Sequence, residues 1–594
     1  MAHIPTWLAV VDRGILWLLT PTSLAILLSS LDDLLIDLLW FNAWLIRRLH
    51  PTARSFPPGE RQLDYAPRQR IAILLPLWKE HKVIQNMLEH NLSAIRYDAY
   101  EIIAGVYPND LETQQAVRAV SRRFSHVHLA VCPHDGPTSK ADCLNWAFQH
   151  LLLLEEESGG ERFEVIVTHD AEDLIHPDEL HWINYYSPRF DFIQIPVLPL
   201  ATPLTALTHG VYCDEFAENH TRDMTVRARL GGFIPSAGVG TGYSRCALEK
   251  LAVASANRIF DPAALTEDYS IGLRLFRLGC SQVFIPLSRS RNVATREYFP
   301  GRWGAALRQR TRWVTGIALQ GWEEFGWRGK LGEVYWLWRD RKGLIGNPLS
   351  LASNLVFAYG LFTGMWTRVS PTMARVAIVT LVLQLVRIGV RMGCTGSLYG
   401  FVFALGVPFR VVYANLVNSA ATFRAIAEYA LARLRGEPLK WLKTDHAYPS
   451  RAALLEHKRR LGEILVASGS LTPGELSDAL DTMPEEVRLG EHLVSSGYLS
   501  EEEVYEGLSF QQGLPRARID LESVDLGVAR ALPERAAREW KVLPFQVAER
   551  SLFIAGPEIP GEEVNQALKG FTALELRFHL VTPAEFEALA DALL

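Results

Sequence analysis

Two long apolar regions, residues 14–49 and 344–425, bracket a stretch that is not apolar, and a polar tail follows from 436. A chain written this way has two options. It buries both regions in one core, or it sets a water-soluble domain between membrane segments. A spanning helix needs about 20 apolar residues. Asn347–Trp366 meets that length, and so does Met373–Cys394, with Arg387 and Arg391 near its end. Ser397–Ala421 is long enough but carries Pro408 and Arg410 in its middle. Near the N-terminus Gly14–Leu31 qualifies with Pro21 inside it. The following LDDLLIDLLWFNAWLI keeps Asp32, Asp33 and Asp37 on one side, as an interfacial amphipathic helix or as the end of a single span. The number of such segments, their Trp flanks and the Arg/Lys clusters at their ends favour the bilayer over a buried core.

Composition narrows the rest. The 594 residues imply several domains. Hydrophobic residues at 48% exclude a disordered chain, and charged residues at 21% exclude one that is membrane throughout. A net charge of −6 offers no general attraction to nucleic acid. Six cysteines, none in a C-x-x-C spacing, argue against a disulfide scaffold and for a reducing compartment. The N-terminus lacks a cleavable-signal pattern.

Charge bias sets an expected topology. Arg47, Arg48 and Arg54 place the start of the middle region on the cytoplasmic side, and Arg433, Arg435, Lys440 and Lys443 place the tail there too. An even number of crossings must lie between them. Two true spans satisfy this, with the Pro408 segment re-entrant or interfacial and buried in protein.

Residues 68–330 alternate short apolar strands with polar helical stretches, an α/β pattern. RIAILLPLWKE is a buried strand ending in polar residues, among them Glu80. EIIAGVYPND ends in Asp110, which serves either a ligand or the cap of the next helix. In PTSKADCLNWAF, Lys140 opens a helix, where it meets a phosphate or solvent. FEVIVTHDAEDLIHP runs a β-branched strand straight into Asp170, Glu172 and Asp173. Carboxylates packed at a strand end repel one another unless a cation lies among them. A hard cation held by one or two carboxylates and by diphosphate oxygens fits; so does a plain acidic turn leading into a solvated helix at Asp178-Glu179. Thr266-Glu267-Asp268 precedes an amphipathic helix, as a cap or as a general base at a pocket mouth. Gln309, Arg312 and Trp313 form a Q-x-x-R-W pattern on a helix leading towards the second apolar region. Arg there pairs with diphosphate and Trp stacks on a sugar, or both anchor an interfacial helix.

In that order, and followed by apolar helices, the acidic triplet, T-E-D and Q-x-x-R-W resemble the processive glycosyltransferases of family 2, such as cellulose and hyaluronan synthases. The resemblance covers roughly 68–425. It implies an α/β GT-A (Rossmann-like) catalytic domain inserted between transmembrane helices, taking a nucleotide-sugar. It assigns Glu80, Asp110, Lys140 and Asp170 to the nucleotide diphosphate. Mg²⁺ or Mn²⁺ falls to Asp170 with Glu172 or Asp173, since the triplet is D-A-E. Asp268, beside Glu267, becomes the general base. Gln309, Arg312 and Trp313 bind pyrophosphate and acceptor sugar, and Gly240-Thr241-Gly242 shapes the acceptor site.

The tail, behind a linker at 436–455, repeats itself. RLGEILVASGSLTPGELSDALDTM (460–483) and RLGEHLVSSGYLSEEEVYEGLSFQ (488–511) align residue for residue. The shared positions include Arg460/Arg488, Leu461/Leu489, Gly462/Gly490, Leu465/Leu493, Gly469/Gly497 and Leu480/Leu508. Two units are too few for a solenoid, so they form a pseudo-symmetric module. Either it is a packing bundle, or its two Arg serve a ligand with twofold chemistry. The tandem resembles the N-terminal domain of MshE-type secretion and pilus ATPases, which implies cyclic di-GMP bound through these positions. Gln511 ends the second motif, whereas Met483 ends the first.

A family 2 transferase followed by this regulatory domain, an α/β unit with a tandem helical repeat at 456–594, resembles the bacteriophage adsorption protein B family. The expectation is an inner-membrane, multi-pass bacterial enzyme with its catalytic and regulatory domains cytoplasmic. It would be metal-dependent and inverting, drawing on a UDP-N-acetylhexosamine donor and a growing glycan acceptor. Cyclic di-GMP would activate it, in service of an exopolysaccharide, with an outer-membrane export or receptor protein as partner. The rival expectation is a non-catalytic cyclic di-GMP-binding membrane scaffold or phage-receptor component.

Overall fold

The computed structural model describes residues 6–49, 62, 63, 65–287, 292–436 and 460–594, the last without 469, 485, 486, 513, 518, 520, 522, 523, 549 and 550. The 436–455 linker beyond Gly436 and the motif residue Gly469 therefore lie outside the described residues.

The middle region is built on a mixed seven-stranded sheet. Its strands are β1 (Ile71–Pro76), β2 (Tyr100–Val106), β3 (Val127–Val131), β4 (Val165–Thr168), β5 (Phe192–Gln194), β7 (Thr241–Ser244) and β8 (Gln282–Phe284). They are ordered β3-β2-β1-β4-β7-β5-β8. β6 (Val197–Pro199) and β9 (Thr295–Glu297) pair separately. The first four strands are parallel, and only β7 runs against its neighbours. β1 and β4 are buried along their length, as strands covered on both faces must be, which is why they read as continuous apolar runs. The chain leaves β1 for β2 on one side and later returns to β4 on the other. Between β1 and β4 the strand order reverses, and a doubly wound sheet opens its ligand crevice at such a point.

The apolar regions form a helical bundle against this domain. The first is one continuous helix, Thr6–Leu49, with Pro21 inside it, rather than a span followed by a separate interfacial helix. It packs along Gly343–Thr363 and Pro371–Tyr399. These two are the described helices long and apolar enough to cross a membrane. Pro408 does not break a third one. It sits in the first turn of the helix Val407–Arg435, where a missing N–H costs nothing. That helix packs on the helices Leu207–Glu218 and Trp303–Trp313 of the α/β domain.

The three aspartates near the N-terminus face partners, not solvent. Asp32 accepts from Arg339, from Lys342 at 2.9 Å and from the Tyr335 hydroxyl at 2.8 Å. Asp33 meets Arg387 at 2.6 Å and Lys342 at 2.8 Å, and Asp37 meets Arg222 at 2.5 Å. Arg222 also holds Glu218 and Asp223, and Arg391 holds Glu218. The amphipathic pattern of the sequence thus marks an ionic seam joining the first helix to segments from 185 to about 350 residues later.

In the tail, the repeats fold as two helix pairs, Leu461–Ser468 with Pro473–Thr482 and Leu489–Ser495 with Glu501–Gln512. A three-stranded sheet follows: β10 (Leu543–Ala548), β11 (Ser551–Gly556) and β12 (Glu575–Leu580). The tail touches the α/β domain where Arg96, itself 3.3 Å from Asp178, lies 3.8 Å from Glu503, and where Arg123 stacks 4.6 Å from the Phe553 ring centre.

Candidate active site

A cavity of about 580 Å³ opens at the carboxyl ends of β1, β2 and β4, and its wall continues to Asp33, Arg339, Lys342 and Arg387 of the ionic seam. Trp78 and Glu80 reach it from β1, Tyr107 from β2, and Asp170 and Glu172 from the turn after β4. Lys140 opens the helix Lys140–Glu157, whose first turn is capped by the Ser139 hydroxyl. Its ammonium lies 2.6 Å from the Asp170 carboxylate. Burial works against the Lys140 charge, but Asp170, Glu267 and Asp268 outweigh it and hold its pKa above the usual lysine range.

Glu267 and Asp268 start the helix Glu267–Arg277, and both line the cavity. Burial and the neighbouring Asp268 push Glu267 up to about 7. Burial also raises Asp268, with Lys140 pulling the other way. The pair therefore holds a proton readily in a range where free carboxylates do not. Gly238, at φ +83°, lies against them. A Cβ there would stand 2.8 Å from Asp268 Oδ2 and 3.3 Å from Lys140 Nζ. Only glycine takes that backbone conformation without strain and leaves the carboxylate in place.

Gln309, Arg312 and Trp313 line the same cavity from the helix Trp303–Trp313. Gln309 Oε1 and Arg312 Nε are buried without a protein hydrogen-bond partner. Buried polar atoms of this kind are ordinarily satisfied, by ordered water, an ion or a bound molecule. Trp313 is wedged among Tyr212, Phe216 and Phe299, which fixes its ring.

Not every expected residue arrives there. Asp110 caps the helix Leu111–Ser121 and accepts the Lys79 N–H at 2.5 Å; it is outside the cavity wall. Gly240-Thr241-Gly242 enters β7, with Thr241 bonded to Gln194 behind the wall. The lining comes instead from Ser236, Ala237 and Val239 just upstream. Asp173 turns inward, fully buried, onto His169 at 2.9 Å and the Asp170 N–H at 2.9 Å. Glu179 is not the solvated helix start its position suggests; it is fully buried and 2.9 Å from His169. Burial opposes charge on His169, but Glu179 and Asp173 overcome it and lift its pKa to about 10.

One acidic residue was missed. Glu297, at the end of β9, lines the cavity, and burial together with Asp173, Glu172 and Asp170 drives its carboxyl well up. Its only sequence signal is an acidic residue in the short strand before Q-x-x-R-W. Among the described residues no three carboxylate, imidazole or thiol groups converge to cage a metal. Yet Asp170, Glu172 and Glu297 put hard oxygen donors on one wall with an excess of negative charge. That donor set fits Mg²⁺ or Mn²⁺ shared with substrate phosphate.

In the repeats, Leu465 and Leu493 are wholly buried in the core, with Leu461, Leu489 and Leu508 packed around them. A Cβ on Gly462 would stand 2.6 Å from Leu476, and one on Gly490 2.9 Å from Val504, so these glycines serve helix packing. Gly497 ends its helix at φ +74°. Arg460, Arg488 and Leu480 are exposed, and Arg488 lies 3.0 Å from Glu558.

Comparison with known proteins accords with this architecture. A family model described as glycosyltransferase like family 2 matches residues 67–316. An MshEN domain model matches 512–594, the α/β part of the tail rather than the repeat. Bacteriophage adsorption protein B of Escherichia coli (strain K12) is 34% identical over 564 residues, 89% of this chain and 75% of the relative. Bacteriophage N4 adsorption protein B of Escherichia coli O157:H7 matches to the same extent. The mannosyltransferase PcManGT from Pyrobaculum calidifontis, solved in complex with GDP-Man and Mn²⁺, is 16% identical, covering 68% of this chain and 99% of that one at a TM-score of 0.40. MshE, solved with cdg, is 28% identical over 23% of this chain and 99% of its own, at a TM-score of 0.21. With a GT-A-like glycosyltransferase domain on a central mixed sheet and a C-terminal MshEN domain, the chain belongs to the bacteriophage adsorption protein B family.

Proposed function

We propose that the chain is a membrane-embedded, inverting glycosyltransferase that takes a nucleotide-sugar, UDP-N-acetylhexosamine, and is activated by cyclic di-GMP. The observation that carries this reading is the convergence in one cavity of the Lys140–Asp170 pair, Glu172, the Glu267/Asp268 pair and the unpartnered ends of Gln309 and Arg312. Units at 1–50, 68–330, 344–425 and 456–594 divide the work into anchor, transferase, membrane helices and sensor. The expected cytoplasmic placement of transferase and sensor follows from the Arg/Lys clusters flanking the apolar segments.

In this mechanism Lys140 and Arg312 hold the donor diphosphate, with Glu80 beside it. Asp170 and Glu172 would hold Mg²⁺ or Mn²⁺, which when bound would stabilise the negative charge of the leaving diphosphate. Asp268 accepts the proton of the acceptor hydroxyl. The freed oxygen bonds to the anomeric carbon from the face opposite the diphosphate, and the carbon–oxygen bond to the diphosphate breaks. Glu267 tunes the base by proximity. Gln309 and Trp313 orient the acceptor, the Trp by stacking. The carboxylates and cations of the ionic seam line the same cavity and lead the acceptor side towards the helical bundle.

The relatives' names refer to bacteriophage adsorption. For this chain the corresponding proposal is a glycan product together with an outer-membrane export or receptor partner. The test is transfer of radiolabelled sugar from a panel of UDP-sugars by membranes carrying the full chain, with and without cyclic di-GMP and with EDTA. Metal-dependent, cyclic di-GMP-stimulated transfer is expected. No transfer from any donor, with cyclic di-GMP still bound, would replace this reading by the scaffold.

A further inference from the structure

His169 stands one residue before Asp170 and never reaches the cavity. Its backbone N–H continues the sheet by donating to Leu74 at 3.2 Å, so the residue is locked to β1. Its ring, wholly buried, lies between two wholly buried carboxylates: Nδ1 is 2.9 Å from Asp173 Oδ2 and Nε2 is 2.9 Å from Glu179 Oε1. Both carboxylates have second tasks. Asp173 accepts the Asp170 N–H at 2.9 Å, and Glu179 accepts the Thr295 hydroxyl at 2.9 Å. Thr295 begins β9, the strand that ends in Glu297.

Two carboxylates are expensive to bury, and a core histidine is satisfied by one carbonyl and one donor. An Asp–His–Glu bridge spanning a sheet end, a turn, a helix start and a separate strand fixes the turn from below. It takes Asp173 out of the acidic triplet and leaves Asp170 and Glu172 facing the cavity.

We infer that His169 is a positioning residue that, through Asp173 and Glu179, sets the orientation of Asp170 and Glu172 and, through Thr295, ties the acidic turn to the strand bearing Glu297. The inference rests on the proposed reading in that these carboxylates serve a cation and a donor diphosphate. It is separable from the identity of the sugar and from regulation. Partners behind metal-binding carboxylates typically change metal affinity by roughly tenfold to a hundredfold when lost.

The experiment titrates Mn²⁺ into full-length protein in detergent with UDP present, read by the paramagnetic resonance of free Mn²⁺, alongside thermal unfolding and sugar-transfer kinetics. His169→Gln should weaken Mn²⁺ binding by about tenfold or more and raise the metal concentration for half-maximal rate in step, while acceptor KM holds its wild-type value. Glu179→Gln, which keeps shape and sits farther from the turn, should shift Mn²⁺ affinity the same way and serves if the first variant does not fold. Wild-type Mn²⁺ affinity in either folded variant overturns the positioning role alone. No Mn²⁺ uptake by the wild type with UDP overturns the functional reading and the positioning role together.

Discussion

Arg410 grips Asp214 with two hydrogen bonds, Nε to Oδ2 at 2.7 Å and Nη2 to Oδ1 at 2.8 Å, and each side chain is only 2% exposed. The contact joins the helix Val407–Arg435 to the helix Leu207–Glu218, and the guanidinium also donates to the Phe403 carbonyl at 2.8 Å. An arginine in the middle of an apolar segment thus bolts that segment to the glycosyltransferase-family domain.

Breaking a buried ion pair strands one charge, at a cost of about 3–5 kcal/mol. Arg410→Ala and Asp214→Ala should each lower the thermal midpoint in detergent by several degrees. The apolar pair Arg410→Met with Asp214→Leu should recover most of the loss. Additive losses in the double variant would show that the two side chains act independently.

Asp268→Asn keeps shape and removes basicity. Turnover should fall by roughly 10²–10⁴-fold, the usual worth of a general base, while UDP binding measured by calorimetry survives. Wild-type turnover would remove Asp268 from the mechanism.

The same pair predicts the pH profile. Burial raises both carboxyls, and repulsion from Asp268 adds to the rise of Glu267, to about 7. A base with a raised pKa is lost as pH falls through that value, so kcat/KM should decline on the acid side at a pH above the range of an ordinary carboxylate. Glu267→Gln removes one like charge and should move the acid limb to lower pH. An unchanged limb would mean that another group titrates.

Arg460 and Arg488 are the exposed cations at equivalent places in the two repeats. Loss of a charge-assisted contact costs about 1.5–3 kcal/mol, or roughly tenfold to a hundredfold in affinity. Arg460→Ala and Arg488→Ala should each weaken cyclic di-GMP binding to the full chain by that factor in calorimetry. Arg488 first has to leave Glu558, so Glu558→Gln should tighten binding slightly. Equal affinity in wild type and both Arg variants would make the repeats a packing module.

What the sequence made legible was local. A β-branched run feeding an acidic turn is visible in FEVIVTHDAED, whereas Asp110, assigned to the diphosphate by resemblance, is the helix cap that its strand-end position equally allowed. The convergence of Lys140, Asp268, Gln309 and Arg312 was readable only from the order of their motifs, because no periodicity links residues 170 apart. Asp173 escaped for a different reason. Its removal from the cavity depends on Glu179 and, behind that, Thr295, and no rule of spacing brings β9 to the helix start. Asp32, Asp33 and Asp37 were correctly seen to share a side, but a polar stripe looks the same whether it meets water or arginine. Gly238 was hidden in a glycine-rich run whose later members drew attention, since only the fold shows which one touches Asp268.

The ionic seam has a consequence in time. Asp32, Asp33 and Asp37 leave the ribosome early, whereas Arg222, Arg339, Lys342 and Arg387 follow 185 to 350 residues later. At roughly 5–20 residues per second, the first helix waits on the order of tens of seconds with three uncompensated carboxylates. Arg222 finds Asp37, Glu218 and Asp223 as soon as it is made, whereas Asp32 and Asp33 wait for Arg339, Lys342 and Arg387. The seam is complete once Arg387 is made, so the first helix can lock while the tail from 436 onward is still to come.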